Sequence, residues 1–443
     1  MKKTVFILSL LAALMLCGCE QLSNDKNDPP EEPIIRSGGI VDRIFNRPDP
    51  TPLRLAPSNA QMGYAQMGAD FAQELFNRLC VEAKPEENVC ISPLSLEIAL
   101  GMLANGLSAD AQAELLEKIC GKGVSIDDLN AWYVTLRSAL EATNSVSLAN
   151  ALWAQTGYPI NPDFYSVNET YYDAEVGNLD FTKTDEAVDS ICQWAYDHTY
   201  GNIRALNLPL KKATKMVMTN ATWFGAHWEF QFSEGATKQD FFTKTDGESQ
   251  TVNMMRTTGP YMYAAAEKYS LLTIPFEFGS FSMVIALPDK KYSVNQILPL
   301  IDWDQMRFPS IVNLQLPKFD FKTTNTLLKH LQALGMKKLF SPDALSGINS
   351  DLEIDFINQD VSVSIDENGA EMAAVTTVEV SATLANLDEG ESPKTINFFV
   401  DRPFVFAVRE NVSNNILFIG KVEEVEYHEE NHSSGGQTNQ GRR

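Results

Sequence analysis

The chain has 443 residues, of which 44% are hydrophobic and 10% aromatic, and its formal net charge at pH 7 is −23. A chain of this length and composition can bury one large core or two ordinary ones, which argues against intrinsic disorder. A surface that binds nucleic acid needs clustered Lys and Arg, and this acidic chain has no such cluster. Nucleic acid is therefore excluded as an expected partner.

The first 18 residues have the pattern of an export signal. Lys2 and Lys3 supply a positive start, an apolar run covers 5–16, and the sequence Leu-Cys-Gly-Cys ends at Cys19. This order resembles the lipobox of bacterial lipoproteins, which implies that Cys19 is the lipidated first residue of the mature chain. An ordinary secretory signal with two chance cysteines is the alternative. The apolar run is short for a membrane span, so we expect an exported protein, lipid-anchored to the bacterial outer membrane at the cell surface or on its periplasmic face.

Composition predicts where the folded body begins and ends. Residues 19–60 predict an extended tether, because they are rich in Asn, Asp, Glu and Pro. The polar tail 427–443 predicts disorder. The body between them, 61–426, has no break or repeat and is predicted to be a single domain.

Three patterns predict helices in the first part of this body. Apolar residues recur at i+4 in the first, which should end near Pro85. A nearly all-apolar run after Pro93 predicts a buried second helix. Ser108 is placed to cap a third helix. The apolar residues that define the first and third helices are Phe71, Leu75, Leu79, Ala113, Leu116 and Ile119.

Short apolar runs rich in β-branched and aromatic residues predict strands later in the chain. Apolar and polar residues alternate strictly from Val361 to Asp366, which predicts a strand with one buried face. The other predicted strands are 216–222, 283–287, 314–316 and 404–408. The chain is therefore predicted to be a mixed α and β protein.

The cysteines of the body lie in apolar patterns. In an exported protein, four cysteines could form two disulfide bonds in three alternative pairings. A large core does not need disulfide bonds for its stability, and we predict buried free thiols. These cysteines are Cys80, Cys90, Cys120 and Cys192.

Histidine usage and motifs give no sign of catalysis. No H-E-x-x-H, G-x-S-x-G, P-loop or dinucleotide-binding glycine motif occurs. His227 lies among Trp223, Phe224 and Trp228, so we interpret it as a packed histidine rather than a catalytic base. We expect no enzyme, no metal and no cofactor, although a hydrolase with a site assembled only by the fold stays open.

Several segments resemble the serpin family, in the family's order. They are 88–95, 217–224 with Trp228, 316–319, 345–348, 402–406 and 417–422. The resemblance runs from about Gly68 to Val422 and implies an α+β serpin fold, with three β-sheets, a helical cluster and an exposed reactive-centre loop. It also implies a mechanism: a target protease attacks the loop and forms an acyl-enzyme, and the cleaved loop then inserts as a new strand that traps the protease.

The resemblance places the hinge of this loop directly after the strand that ends near Asp366. The hinge residues are Glu367, Gly369, Ala370, Glu371, Met372, Ala373 and Ala374. Gly369 would let the backbone swing. Because side chains alternate faces in a strand, the even positions from Ala370 to Ala382 would share one face, and all are small, apolar or threonine. Glu371 and Glu379 fall on the other face, a sorting that favours insertion, whereas Met372 is larger than the family's usual residue.

Family spacing from Glu367 places the scissile bond at Thr383-Leu384, with Ala382-Thr383 as the second choice. Small aliphatic and hydroxyl residues at this bond imply an elastase-like serine protease as the target, with a cysteine protease possible. We expect a monomer that acts as a suicide-substrate inhibitor. The alternative is a non-inhibitory serpin-fold binding or chaperone protein.

The resemblance also assigns residues to the main sheet that must open. They are Ser92, Ser95, Asn220, Trp228, Lys318 and Gln359. Ser92, Ser95 and Asn220 would form a polar cluster beneath the sheet, and Glu367 would pair with Lys318 near Trp228. Gln359 stands where the family often has a histidine, which removes any histidine-linked pH response. Ordinary core polarity is the alternative interpretation for each.

Overall fold

The computed structural model describes residues 49–203, 205–370 and 395–425. Its helices are α1 (Asn59–Glu82), α2 (Pro93–Ala104), α3 (Ala109–Ile119), α4 (Ile126–Glu141), α5 (Pro162–Tyr172), α6 (Thr184–His198), α7 (Val294–Ile297) and α8 (Leu328–Ala333). Its strands are β1 (Val89–Ile91), β2 (Val146–Gln155), β3 (Ala174–Leu179), β4 (Met216–Phe224), β5 (Ala226–His227), β6 (Lys238–Thr243), β7 (Ser249–Ala265), β8 (Tyr269–Pro275), β9 (Phe281–Pro288), β10 (Phe308–Pro317), β11 (Phe319–Thr326), β12 (Asn358–Ile365), β13 (Gly369–Ala370), β14 (Ile396–Phe399), β15 (Phe404–Glu410) and β16 (Ile416–Val422). The predicted mixed α and β class is confirmed.

The first helices follow the sequence pattern with one exception. Helix α1 starts at a capping box on Ser58, and α2 is buried on nearly every face. Helix α3 begins directly after Ser108, but that side chain makes no capping bond. The prediction that Ala113 lies on the buried face of α3 is wrong, because Ala113 is exposed and the buried face is formed by Ala111, Leu115, Leu116 and Ile119.

The largest sheet contributes many of the buried residues of the core. It has nine strands in the order β1-β16-β15-β9-β8-β7-β10-β14, with β6 paired to β7. Strands β9 and β15 pair with each other and are buried on both faces, which explains why their sequences are continuous apolar runs rather than alternating ones.

Two smaller sheets lie side by side and carry the candidate site. Half-sheet 1 has the order β3-β2-β4, and half-sheet 2 has the order β11-β12-β13-β5. Strand β5 follows β4 in the chain after Gly225, so the two half-sheets meet at the end where β4 runs into β5, which we call the top. The lower end is where β4 and β12 begin.

Helices cover both faces of half-sheet 1. Helix α2 contacts β4 on the inner face. On the outer face, Trp194 and Ala195 of α6 pack with Ala221 of β4, and Ile191 packs with Val217. Strand β4 is therefore enclosed on both faces, and only its edge can gain a partner.

The N-terminal segment is fastened to the body before α1 begins. The Thr51 N–H donates to Thr143 O at 2.9 Å, the Leu53 N–H donates to Ser280 Oγ at 2.8 Å, and Leu55 is buried. The sequence pattern predicts a tether through residue 60 and gives no sign of these contacts.

The four body cysteines are free thiols. Cys80, Cys90 and Cys120 are buried as predicted, whereas Cys192 is only half-buried. In the part of the chain that the structure describes, no helix is long and apolar enough to cross a membrane.

Candidate functional site

A cavity of about 450 Å³ separates β4 of half-sheet 1 from β12 of half-sheet 2. We call this cavity the slot. Its walls include Val217–Thr222 of β4 and Asn358–Ile365 of β12. Its floor includes Ser92, the N-cap of α2, and Ser95 in the first turn of that helix. Both strands are fully described, and no pairing joins them. The backbone groups on their facing edges therefore form no ladder with each other. Among the described residues, no strand pairs with β4 on this side, and β12 pairs here only through Ile365 with Ala370, so most of each edge is without a strand partner in that part of the chain.

The top of the slot is closed by the start of the predicted hinge. In β13, Gly369 pairs with His227, and Ala370 pairs with Ala226 on one side and Ile365 on the other. Ala370 is buried. The chain thus enters the gap between the half-sheets as a short antiparallel strand.

Gly369 lies so close to the backbone of β5 that no side chain fits at this position. A Cβ built on Gly369 would lie 2.1 Å from Ala226 O and 2.8 Å from His227 Cα, both backbone atoms. Its φ is not positive. Any side chain at this position would push the hinge out of the sheet. Glycine is therefore needed here because space is lacking, and not only because its backbone is free to swing.

The turn before β13 is held by Trp228. Its indole Nε1 donates to Asp366 O at 2.9 Å, and its backbone N–H donates to Asn368 O at 2.9 Å. The ring stacks on Phe276 with centroids 4.6 Å apart and an interplanar angle of 9°. Trp228 is therefore fixed by packing and in turn fixes the start of the loop.

Glu367 is a buried carboxylate with two side-chain partners. Lys318 Nζ lies 2.9 Å from Glu367 Oε2, which is the pairing that the resemblance implies, and Thr237 Oγ1 donates to Glu367 Oε1 at 2.7 Å. Burial opposes the charge, but the hydrogen bonds from Thr237 and Lys318 outweigh it, so the pKa of Glu367 is lowered. Thr237 was not among the predicted site residues.

Asp366, next to Glu367, has the opposite shift. Burial raises its pKa, although its Oδ1 accepts from the backbone N–H groups of Asn368 and Gly369 at 2.8 and 3.2 Å. At the top of the slot, the pKa values of two adjacent carboxyl groups are therefore shifted in opposite directions.

Beneath the slot, Gln359 is joined to Ser92 by two hydrogen bonds. The Ser92 N–H donates to Gln359 Oε1 at 2.9 Å, and Gln359 Nε2 donates to Ser92 O at 2.8 Å. The Ser92 hydroxyl donates to Leu417 O at 2.7 Å and accepts from the Ser95 N–H at 3.3 Å. This chain of bonds fastens β12 to the start of α2.

On the other side, Asn220 fastens β4 to the same helix. The Ser95 hydroxyl donates to Asn220 Oδ1, and Asn220 Nδ2 donates to Asn150 Oδ1 of β2 at 2.7 Å. Ser92, Ser95 and Asn220 thus lie together beneath the slot, with Gln359 bonded to Ser92, and each wall of the slot is bound to α2 separately. Asn150 is an additional member that the sequence analysis missed.

Part of the predicted site lies outside the described residues. This part comprises the lipidation residue, the rest of the hinge and both choices of reactive bond: Cys19, Glu371, Met372, Ala373, Ala374, Ala382, Thr383 and Leu384.

Among residues 49–203, 205–370 and 395–425, no group of His, Cys, Asp and Glu is placed to hold a metal ion. His227 is buried in β5, paired through its backbone with Gly369.

A sequence model described as Serpin (serine protease inhibitor) matches residues 66–425. Iripin-8 of Ixodes ricinus is 31% identical over 358 residues, which cover 76% of this chain and 87% of that protein. Leukocyte elastase inhibitor of Equus caballus is 29% identical over 375 residues, with coverages of 79% and 96%.

Solved structures agree with this match. Tengpin, a thermophilic serpin in its native state, superposes with a TM-score of 0.72 at 28% identity and covers 85% of this chain and 98% of its own. Human thyroxine-binding globulin superposes with a TM-score of 0.73 at 25% identity, with coverages of 83% and 99%. With the fold, the order of its sheets and the family match in agreement, this chain belongs to the serpin family.

Proposed function

We propose that this protein is a suicide-substrate inhibitor that traps a protease by inserting its cleaved loop into the slot. One observation carries the proposal: Gly369 and Ala370 already pair into the top of a gap between β4 and β12, and no other described strand lies between these two walls. The family is described as serine protease inhibitors, and the name of the relative leukocyte elastase inhibitor states that function for that protein.

The register of β13 defines where the remaining loop residues would go. Ile365 pairs with Ala370 in an antiparallel ladder, so continuing the same register places Thr376 opposite Gln359 and Ala374 opposite Val361. Val361 is buried and Gln359 points toward α2. The even positions would therefore face the core, in agreement with their small or apolar side chains.

The proposed target is an elastase-like serine protease, because Thr383-Leu384 would present a small residue to a shallow pocket. A cysteine protease is a second possibility, since it also forms an acyl-enzyme. From Glu367 to Thr383 the extended loop would span roughly 55 Å at about 3.3 Å per residue. This length would carry a bound protease the full length of the slot.

The test is to incubate the purified protein with pancreatic elastase and separate the products on a denaturing gel. We expect a covalent complex and a released C-terminal peptide, whose mass identifies the scissile bond. A peptide that starts at Leu384 supports the first choice, and one that starts at Thr383 supports the second. Clean cleavage without a complex would contradict inhibition and would favour a binding role, as the name of thyroxine-binding globulin indicates for that relative.

The same substitution at two adjacent loop residues, one on each face of the inserted strand, provides the matched control. Ala374→Glu would place a charge on the core face of the inserted strand and should convert the inhibitor into a substrate. Ala373→Glu would place the same charge on the outer face and should leave most of the complex intact. Equal effects of the two variants would contradict the proposed register.

We further propose that Cys19 is lipidated and anchors the protein to the outer membrane. Metabolic labelling with a radioactive fatty acid in a bacterial host tests this proposal. Cys19→Ala should lose the label and Cys17→Ala should keep it. Label on both variants, or on neither the variants nor the parent, would contradict lipidation at Cys19.

A further inference from the structure

The connection between α6 and β4 crosses the lower end of the slot. Leu206, Leu208 and Thr214 of this connection line the same cavity as β12. The Asn207 N–H donates to Asp360 Oδ2 at 3.0 Å, and Asn358 Nδ2 donates to Asn207 O at 2.9 Å. These bonds join half-sheet 2 to a segment that leads directly into half-sheet 1.

The side chain of Asp360 lies on the outer face of half-sheet 2, where its carboxylate accepts hydrogen bonds. Its neighbour Gln359 points inward to Ser92, and alternation along β12 directs Asp360 to the opposite face. There the Asp360 carboxylate also accepts from Thr324 Oγ1 of β11, with which it is in register. One oxygen of this carboxylate thus binds its own half-sheet, and the other binds the connection across the slot.

These bonds lie in the path of the inserting loop. The register that begins with Ile365 and Ala370 would bring Val375 opposite Asp360 and Thr377 opposite Asn358. Both residues have odd numbers and would point to the outer face, into the space that the Asp360 bond to Asn207 crosses. On this register, residues up to Ala374 could enter while these bonds remain, whereas Val375 and the residues after it would meet them.

We propose that Asn207, Asn358 and Asp360 form a latch that stops insertion after Ala374 until it opens. This inference rests on the proposed function, because it requires the loop to insert. Insertion competes with hydrolysis of the acyl-enzyme, so the opening rate of the latch sets how many inhibitor molecules are consumed for each protease trapped. The latch residues are positioning residues: they touch neither the protease nor the scissile bond.

The experiment measures insertion directly. The purified protein is mixed with excess elastase, and backbone amides are pulse-labelled with deuterium at set times. Mass spectrometry then reads peptides that cover 216–224 and 358–365, whose open edges gain a partner on insertion. Asp360→Ala removes a solvent-exposed hydrogen bond, so protection should develop about 5- to 10-fold faster. Fewer inhibitor molecules should be consumed per trapped protease.

Three further variants separate a latch from general loosening. Asn358→Ala removes the second bond and should also accelerate protection. Lys211→Ala removes an exposed ion pair to Asp355, 3.7 Å long, from the same connection and should change the rate by less than about twofold. Thr324→Val removes the other partner of Asp360 while leaving the bond to Asn207, and should likewise have little effect.

The rates measured for the parent and the variants test the latch and the proposed function separately. Rates equal to the parent for both Asp360→Ala and Asn358→Ala would overturn the latch, and so would a Thr324→Val variant as fast as Asp360→Ala. If the parent gains protection and no variant differs, only the latch fails. If neither the parent nor any variant gains protection after cleavage, the proposed function fails together with the latch.

Discussion

Gln359 and Ser92 exchange two hydrogen bonds although 267 residues separate them in the chain, with the glutamine amide pairing both backbone groups of the serine. Gln359→Ala would leave a buried N–H and a buried C=O without this partner. We expect a loss of about 2 to 4 kcal/mol in the free energy of unfolding, measured by urea denaturation of the intact chain. Ser362→Ala, on the other face of the same strand, should change it by no more than about 0.5 kcal/mol. Equal losses would show that the amide has no special role.

Gly369 cannot carry a side chain without moving backbone atoms. Because a Cβ would lie 2.1 Å from Ala226 O, Gly369→Ala should expel β13 from the top of the slot. Faster amide exchange at 226–227 and a thermal midpoint several degrees lower are the expected results. Gly63→Ala is the control, since nothing lies within 4 Å of a Cβ there and alanine favours a helix. Unchanged exchange in Gly369→Ala would contradict the close-approach argument.

The hinge carboxylate gives a pH dependence with a definite direction. The pKa of Glu367 is lowered below its ordinary 4.5 in the folded state, so its stabilisation is present above pH 4.5 and is lost as the pH falls through the lowered pKa. Glu367→Gln should therefore destabilise the protein at pH 7, by about 1 to 3 kcal/mol, and the difference from the parent should shrink in acid. A difference that is constant from pH 7 to pH 3 would contradict the charged pairing with Lys318.

Glu97 in α2 should make the protein less stable as the pH rises. Burial raises its pKa to about 8, and its Oε1 would lie 2.7 Å from a Cβ on Gly68 of α1. The unfolded chain releases this proton near pH 4.5, before the folded chain does. The free energy of unfolding should therefore fall by about 1.4 kcal/mol per pH unit up to pH 8 and then level off.

The control for this dependence is Glu97→Gln, which keeps the size of the side chain and has no proton to lose. Subtracting its pH profile from that of the parent, by urea denaturation between pH 5 and 9, removes the contribution of all other titrating groups. A flat difference would mean that Glu97 is ionised or well solvated in the folded state.

The sequence pattern predicts the parts of the fold that depend on local periodicity. Alternation over 361–366 predicts β12, and the apolar runs predict β4, β9 and β15, each within a few residues. For β10 the predicted 314–316 covers only the end of a strand that begins at Phe308. Strands such as β1 and β5 are too short to have a period, and they form because a neighbouring edge is available.

The candidate site is predictable only in part, because its contacts join distant positions. Resemblance to the family supplies Ser92, Gln359 and the pairing of Glu367 with Lys318, which no local pattern would reveal. Asn150, Thr237 and the bond between Asn207 and Asp360 carry no such signal. Asn207 and Asp360 are 153 residues apart, and each alone is an ordinary polar residue with no local pattern that points to the other.

The central claim is that the slot between β4 and β12 accepts the cleaved loop as a strand. The most direct measurement is amide exchange of 216–224 and 358–365 before and after the loop is cut by a protease that is then removed. We expect both segments to become strongly protected together, since each open edge gains a ladder of hydrogen bonds, and the thermal midpoint to rise. Unchanged exchange in both segments after complete cleavage would contradict the account.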